Sequence, residues 1–211
     1  MITRDQLIKI IKNIAEVIKE NKEFLTELDS AIGDSDHGIN MNKGFKAVLE
    51  KINTVQDKDC GTILKTVAMA LISKVGGASG PLYGTAFLKA SGVVTGKMEI
   101  SGEDLSSMFK EAIDGIVMRG KAERGNKTML DSLIPAYESL KNSIESGKGL
   151  VESLESAEKS ALDGVEYTKT IAATKGRASY LGDRSIGYQD PGATSSYLMI
   201  KATVDTLKEA E

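Results

Sequence analysis

Apolar residues recur along this chain at three- and four-residue intervals rather than in alternation, the spacing of helices that bury one face. Leu7, Ile10, Ile11, Ile14, Val17, Ile18, Leu25 and Leu28 mark the first such stretch. It opens with Thr3-Arg4-Asp5-Gln6, a capping-box sequence whose side chains can satisfy free N–H groups of a first turn. A second stretch runs from about Ile39 through Met41, Phe45, Val48, Leu49 and Ile52. The third begins at Thr62, carries Ile63, Val67, Ala70 and Leu71, and stops at Gly76-Gly77, while the fourth begins at Pro81, which needs no N–H in a first turn. Ser101 caps a fifth stretch bearing Leu105, Met108, Phe109, Ile113, Ile116 and Val117. Thr128 and Asp131 open a sixth with Leu130, Leu133, Ile134, Tyr137, Leu140 and Ile144, where Pro135 predicts a kink. The seventh spans about Leu150 to Ala172, and the eighth runs from Pro191 through Tyr197, Leu198, Val204 and Leu207. Eight helices with mostly short connections predict an all-α fold of up-and-down bundle type.

Two connections break that economy. Gly33-Asp34-Ser35-Asp36-His37-Gly38 joins the first two helices, and Thr174 to Asp190 reads TKGRASYLGDRSIGYQD, too rich in glycine for a helix. A loop of that length inside a compact chain is usually functional or disordered, and Lys175, Arg177, Arg184, Tyr180 and Tyr188 favour a functional lid over a linker.

A length of 211 residues predicts one domain over 1–211, and 41% apolar with 27% charged residues marks a chain that folds. Twenty-seven basic against 30 acidic residues leave a net charge of −3, so no general basic surface awaits a nucleic acid. No apolar run approaches the roughly 20 residues that cross a bilayer, and Asp5 stands where a secretory signal would be apolar. A cytoplasmic protein with neither nucleic-acid nor membrane partners is expected. Cys60 and His37 are each the only residue of their type. They exclude an internal disulfide, a multi-cysteine zinc site and any site built from two histidines, so metal chemistry would need oxygen ligands.

Asp29, Asp34 and Asp36 are the sharpest candidates for such ligands, since Mg²⁺ takes carboxylate oxygens and keeps waters at its other positions. Gly33 and Gly38 would let the chain bend until all three converge. The same residues also fit a solvated interhelix loop in which Asp29 or Ser30 acts as a cap, and the twelve-residue EF-hand pattern is absent. His37, inside this loop, would supply any imidazole chemistry, although a lone histidine is more often a hydrogen-bonded structural residue. Gly76-Gly77-Ala78-Ser79-Gly80-Pro81 and Asp190-Pro191-Gly192-Ala193-Thr194-Ser195 are both turns opening onto a helix, where free N–H groups and the helix dipole favour phosphate. Gly120 to Lys127 reads GKAERGNK and fails the Walker pattern, and no G-x-S-x-G elbow exists. The sequon Asn126-Lys127-Thr128 has no meaning in a chain without an export signal.

Together, GDSDHGINMNKGF, GGASGPLYGTAF, GNKTMLDSL and GRASYLGDRSIGYQDPGATSSYL resemble the ADP-binding L subunits of bacterial dihydroxyacetone kinases, from the first helix to the last. The resemblance implies an eight-helix antiparallel barrel with a nucleotide at one end beneath capping loops. It also implies that Asp29, Asp34 and Asp36 bind two Mg²⁺ ions bridging the nucleotide phosphates. By the same carry-over, His37, Gly38, Ile39, Asn40, Ala78, Ser79, Gly120, Met129, Arg177, Asp190, Pro191 and Gly192 line the ADP site. ADP then acts as a bound cofactor, becoming ATP when a phosphoryl-carrier M subunit of the phosphotransferase system recharges it, and passing the group to dihydroxyacetone on a separate K subunit. No protein nucleophile is needed. Alternatives within the resemblance are an L-type subunit serving a tetrose kinase or using ATP as donor, and the nucleotide domain of a fatty-acid kinase. Another is a nucleotide-loaded module docking on a transcription regulator; a homodimer is also compatible with the sequence.

Overall fold

In the computed structural model, which describes residues 1–209, nine α-helices, one 3₁₀ segment and a two-residue strand pair account for the regular structure. The helices are α1 (Arg4–Glu20), α2 (Lys22–Ile32), α3 (His37–Ile52), α4 (Cys60–Lys74), α5 (Ser79–Val93), α6 (Gly102–Gly120), α7 (Leu130–Glu145), α8 (Leu150–Thr168) and α9 (Pro191–Lys208). The expected first helix is broken in two at Asn21, where the backbone relaxes to φ −92°, ψ 10°. There the Val17 carbonyl accepts both from the Asn21 backbone N–H at 3.0 Å and from its side-chain amide at 2.8 Å. Counting α1 and α2 as one broken rod leaves the eight rods that the apolar pattern predicts.

Each rod packs against the next in chain order, and α9 returns to α1, so the helices close a ring. Asn13 of α1 ties this seam by donating its side-chain amide to the Ala202 carbonyl and the Thr206 hydroxyl of α9. Antiparallel neighbours in a closed ring bury their apolar stripes toward a common interior. Ile10, Ile11, Ile14, Met41, Phe45, Ile63, Leu71, Leu130, Leu140, Leu154 and Val204 all belong to that one core.

N-cap side chains mark four of the nine helix starts. Thr3 with Gln6 and Ser101 with Asp104 form capping boxes at α1 and α6, and Asp59 and Asp190 cap α4 and α9. Pro135 denies the Asp131 carbonyl its donor four residues on, and Gly164 of α8 fits against that carbonyl. A Cβ at Gly164 would stand 2.1 Å from it. The strand pair, β1 (Ile2–Thr3) with β2 (Glu99–Ile100), antiparallel with Ile2 opposite Ile100, is too short to read from the sequence.

Up-and-down topology sends alternate connections to the same end. Residues 33–36, 75–78, 121–129 and 169–190 therefore meet at one end of the ring, while 53–59, 94–101 and 146–149 lie at the other. The 169–190 connection is less irregular than expected: Arg177–Ser185 forms the 3₁₀ segment, broken at Gly182 (φ 53°, ψ −129°). No helix among the described residues is long and apolar enough to cross a membrane.

Candidate functional site

The four connections at the first end surround a cleft of about 830 Å³, mouth included. Its acidic wall is built by the α2–α3 turn. Ser35 adopts a left-handed φ of 64°, which turns Asp34 and Asp36, two residues apart, toward the same side. Gly33 has no Cβ because Asp29 needs the space: one placed there would stand 2.0 Å from Asp29 Oδ1. Asp29, in the last turn of α2, accepts hydrogen bonds at Oδ2 from the backbone N–H of Asp36 (2.8 Å) and of His37 (3.1 Å). It thereby caps α3 from the preceding helix, so the capping role and the convergence of acids coexist in one residue.

One carboxylate oxygen from each of Asp29, Asp34 and Asp36 lies within 4.8 Å of the others. Oxygens opposite one another on a single Mg²⁺ stand about 4.2 Å apart at its usual bond length, so this donor set fits a hard cation. Burial, the Asp34 charge and the Asp29 charge raise the carboxyl of Asp36 above its ordinary value, against a hydrogen bond from Asn40 and the pull of Arg177. Arg177 reaches across from the 3₁₀ segment, its Nε 2.6 Å from Asp34 Oδ2. The acidic turn and the long connection thus meet through one ion pair.

Besides the acids, the starts of α3, α5 and α9 all lie at the cleft, and the turn before α5 carries Gly77 at φ 64°. Three helix N-termini present positive dipole ends to the same space. Below them His37 is buried, its Nδ1 3.1 Å from the Ser79 hydroxyl and its Nε2 2.9 Å from that of Ser195. Tyr83 continues the chain of hydroxyls to Ser195 (2.7 Å) and Ser196 (2.9 Å) and donates to the Gly192 carbonyl. This polar floor separates the cleft from the apolar interior. Burial pushes the His37 imidazole down to about 4, so it is neutral, and pushes the Tyr83 hydroxyl up. Burial likewise raises Asp190 to about 7, against its hydrogen bond from the Ala193 N–H.

Of the residues expected at the site, Asp29, Asp34, Asp36, His37, Ala78, Ser79, Met129, Arg177, Asp190, Pro191 and Gly192 line the cleft. Gly38, Ile39, Asn40 and Gly120 do not. Gly38 packs against α2, where a Cβ would meet the Lys22 carbonyl at 2.0 Å, and Ile39 is 51% exposed. Asn40 hydrogen-bonds Asp36 and lies against Gly76, and Gly120 backs Leu82, which itself lines the cleft. Ile32, Leu82 and Lys127 were not anticipated. Lys127 is 1% exposed with a left-handed φ of 60°, and no hydrophobic pattern announces a buried lysine.

The model of the DAK2 domain matches residues 31–205, which contain all of the cleft lining except Asp29. The chain belongs to the DAK2 family. It is 45% identical to the ADP-binding subunit DhaL of the PEP-dependent dihydroxyacetone kinase of Escherichia coli K12, over 99% of both chains. It is 41% identical to the ADP-binding subunit DhaL of PEP-dependent dihydroxyacetone kinase 1 of Listeria innocua, over 96% of both. Among solved structures, the dihydroxyacetone kinase of C. freundii superposes with a TM-score of 0.72 in its native form and 0.69 in complex with AMP-PNP and Mg²⁺. At 21% and 23% identity that likeness concerns the all-α fold. The match covers 97% of this chain, which spans about a third of that kinase (34%).

Proposed function

We propose that this chain is the ADP-binding subunit of a PEP-dependent dihydroxyacetone kinase, a phosphotransferase that recharges a bound adenine nucleotide in place and passes its phosphoryl group to dihydroxyacetone. One juxtaposition carries the reading: three carboxylates and three helix N-termini line a single cleft. The carboxylates fit a cation and the N-termini fit an anion, and the two together fit a metal-bound polyphosphate. The full-length likeness to DhaL subunits supports the same reading. In it the substrate-holding K subunit and the phosphoryl-carrier M subunit are the partners.

Asp29, Asp34 and Asp36 would hold magnesium, two ions by the family resemblance. A metal held by these carboxylates would supply charge neutralisation to the phosphates. The remaining work falls to the chain. Phosphoryl transfer has a loose transition state, so alignment and dispersal of charge matter more than a nucleophile. The N-termini of α3, α5 and α9 orient the phosphates, Arg177 adds a guanidinium from the long connection, and Leu82, Met129 and Pro191 offer an apolar wall to the base. His37, neutral and engaged at both ring nitrogens, orients Ser79 and Ser195 rather than moving a proton.

Mass spectrometry of the denatured protein tests the cofactor directly, with about one adenine nucleotide released per chain expected. Transfer from purified M subunit to dihydroxyacetone on purified K subunit tests the reaction, and transfer to erythrulose instead would identify a tetrose kinase. A gently purified protein that is nucleotide-free and whose melting temperature ignores Mg-ADP would sink the reading, because a ligand bound only by the native state must raise its stability.

A further inference from the structure

Lys127 is assigned no part in the reading above, yet it is a fully buried basic side chain beside the cleft, at 1% exposure. Nothing acidic pairs with it. Its ammonium instead donates to four backbone carbonyls, those of Thr168, Ile171, Ser185 and Tyr188, at 2.5 to 3.3 Å. Three N–H bonds shared among four acceptors leave no donor over.

The four carbonyls belong to structures that must stay in register. Thr168 ends α8 and Ile171 follows it, and a cation there satisfies free carbonyls at the negative end of the helix. Ser185 ends the 3₁₀ segment that carries Arg177, and Tyr188 lies in the strand of chain leading to α9. Around the ammonium the same pieces are cross-tied. The Ala173 N–H donates to the Ser185 hydroxyl, the Gly187 N–H to the Lys169 carbonyl, and the Thr174 N–H to the Asn126 carbonyl beside Lys127. The Asp190 N–H donates to the Thr168 hydroxyl, so the end of α8 also sets the residue that caps α9. Lys127 itself is held by Asp131, whose carboxylate accepts from the N–H groups of Gly125 and Thr128 on either side of it.

We propose that Lys127 is the anchor of the 169–190 connection, a positioning residue that sets both the reach of Arg177 over the cleft and the start of α9. The proposal rests on the nucleotide-binding reading and adds a residue whose ammonium is taken up by backbone carbonyls. With the ammonium gone, the two ends of the connection lose their common partner and the segment between them swings free of the cleft.

The test uses Lys127→Met, similar in length but without donors, with Lys127→Gln as a second variant that keeps two N–H groups. Three readouts are taken on each: circular dichroism and melting of nucleotide-stripped protein, trypsin cleavage at Lys175, Arg177 and Arg184 with and without Mg-ADP, and the ADP dissociation rate. The wild type is expected to be protected from trypsin by Mg-ADP. Folded variants should lose that protection and release ADP about tenfold faster or more, equivalent to about 1.4 kcal/mol, with the helical spectrum retained. A lysine that merely stabilises the ring would lower the melting temperature and leave protection and release rate unchanged. That result, or failure of both variants to fold, overturns the proposal. A wild type that Mg-ADP does not protect and that holds no nucleotide instead removes the functional reading beneath it.

Discussion

Gly33 lies on the surface, where adding a methyl group is ordinarily harmless, yet Gly33→Ala should disable the cleft. The new Cβ would stand 2.0 Å from Asp29 Oδ1 and 2.9 Å from its Cγ. The carboxylate must retreat about 1.5 Å to reach ordinary van der Waals separation. That movement exceeds what its two hydrogen bonds at Oδ2, 2.8 and 3.1 Å long, can follow. Taking about 1.5 kcal/mol for each bond to a charged acceptor, the stripped protein loses about 3 kcal/mol, or a melting temperature lower by about 6–12 °C for a chain of this size. Denaturant unfolding of four chains, wild type, Gly33→Ala, Asp29→Ala and the double variant, isolates the effect. In the Asp29→Ala background the methyl meets only the Asp29 carbonyl at 3.0 Å, so Gly33→Ala should then cost under about 1 kcal/mol, a coupling of about 2 kcal/mol. Titration calorimetry should show Mg-ADP binding lost in Gly33→Ala. Equal costs in both backgrounds, or wild-type binding of Mg-ADP, would refute the account of why glycine stands at this position.

Two further predictions concern charge. In stripped protein His37 and Asp190 should pull stability in opposite directions with pH. The imidazole, held down at about 4, binds protons less readily than in the unfolded chain, so its contribution is present above 6.5 and is lost as pH falls toward 4. The Asp190 carboxyl, raised to about 7, binds protons more readily, so its contribution is present below 3.8 and is lost as pH rises toward 7. Melting curves of Asp190→Asn should therefore fall more steeply than wild type between pH 6.5 and 4, and a shallower fall would contradict the burial of these groups. Arg177→Ala removes an exposed ion pair worth about 0–1 kcal/mol to the stripped fold. The same change should raise the ADP dissociation rate about 10- to 150-fold if the guanidinium pairs with phosphate. Arg177→Lys should recover part of this, and stopped-flow release equal to wild type would remove Arg177 from the site.

Local signals carried most of the architecture. Thr3 with Gln6, Ser101 with Asp104, and the spacing of apolar residues on each rod act within a few residues, so they can be read without knowing the partners. What escaped was set at a distance. The pairing of Ile2 with Ile100 joins segments almost a hundred residues apart. At the cleft, the acids were legible because three aspartates crowd eight residues, although the left-handed turn at Ser35 that aims them follows no glycine. Gly38, Ile39 and Asn40 fall outside the cleft lining. A helix start beside a cleft turns only one of its faces to it, and spacing alone does not say which. Lys127 was invisible as a buried group because its partners are carbonyls, which every residue owns.

The ring also decides how the molecule can be held. Ile2 pairs beside Ile100, and Lys208 at the end of α9 forms an ion pair with Glu155 near the start of α8. Both described ends of the chain therefore emerge at the pole opposite the cleft. A tag, a fused reporter or a tether to a sensor chip can be placed at either end and leave the mouth facing solution, so that a docking subunit meets the same approach it would meet on the free protein.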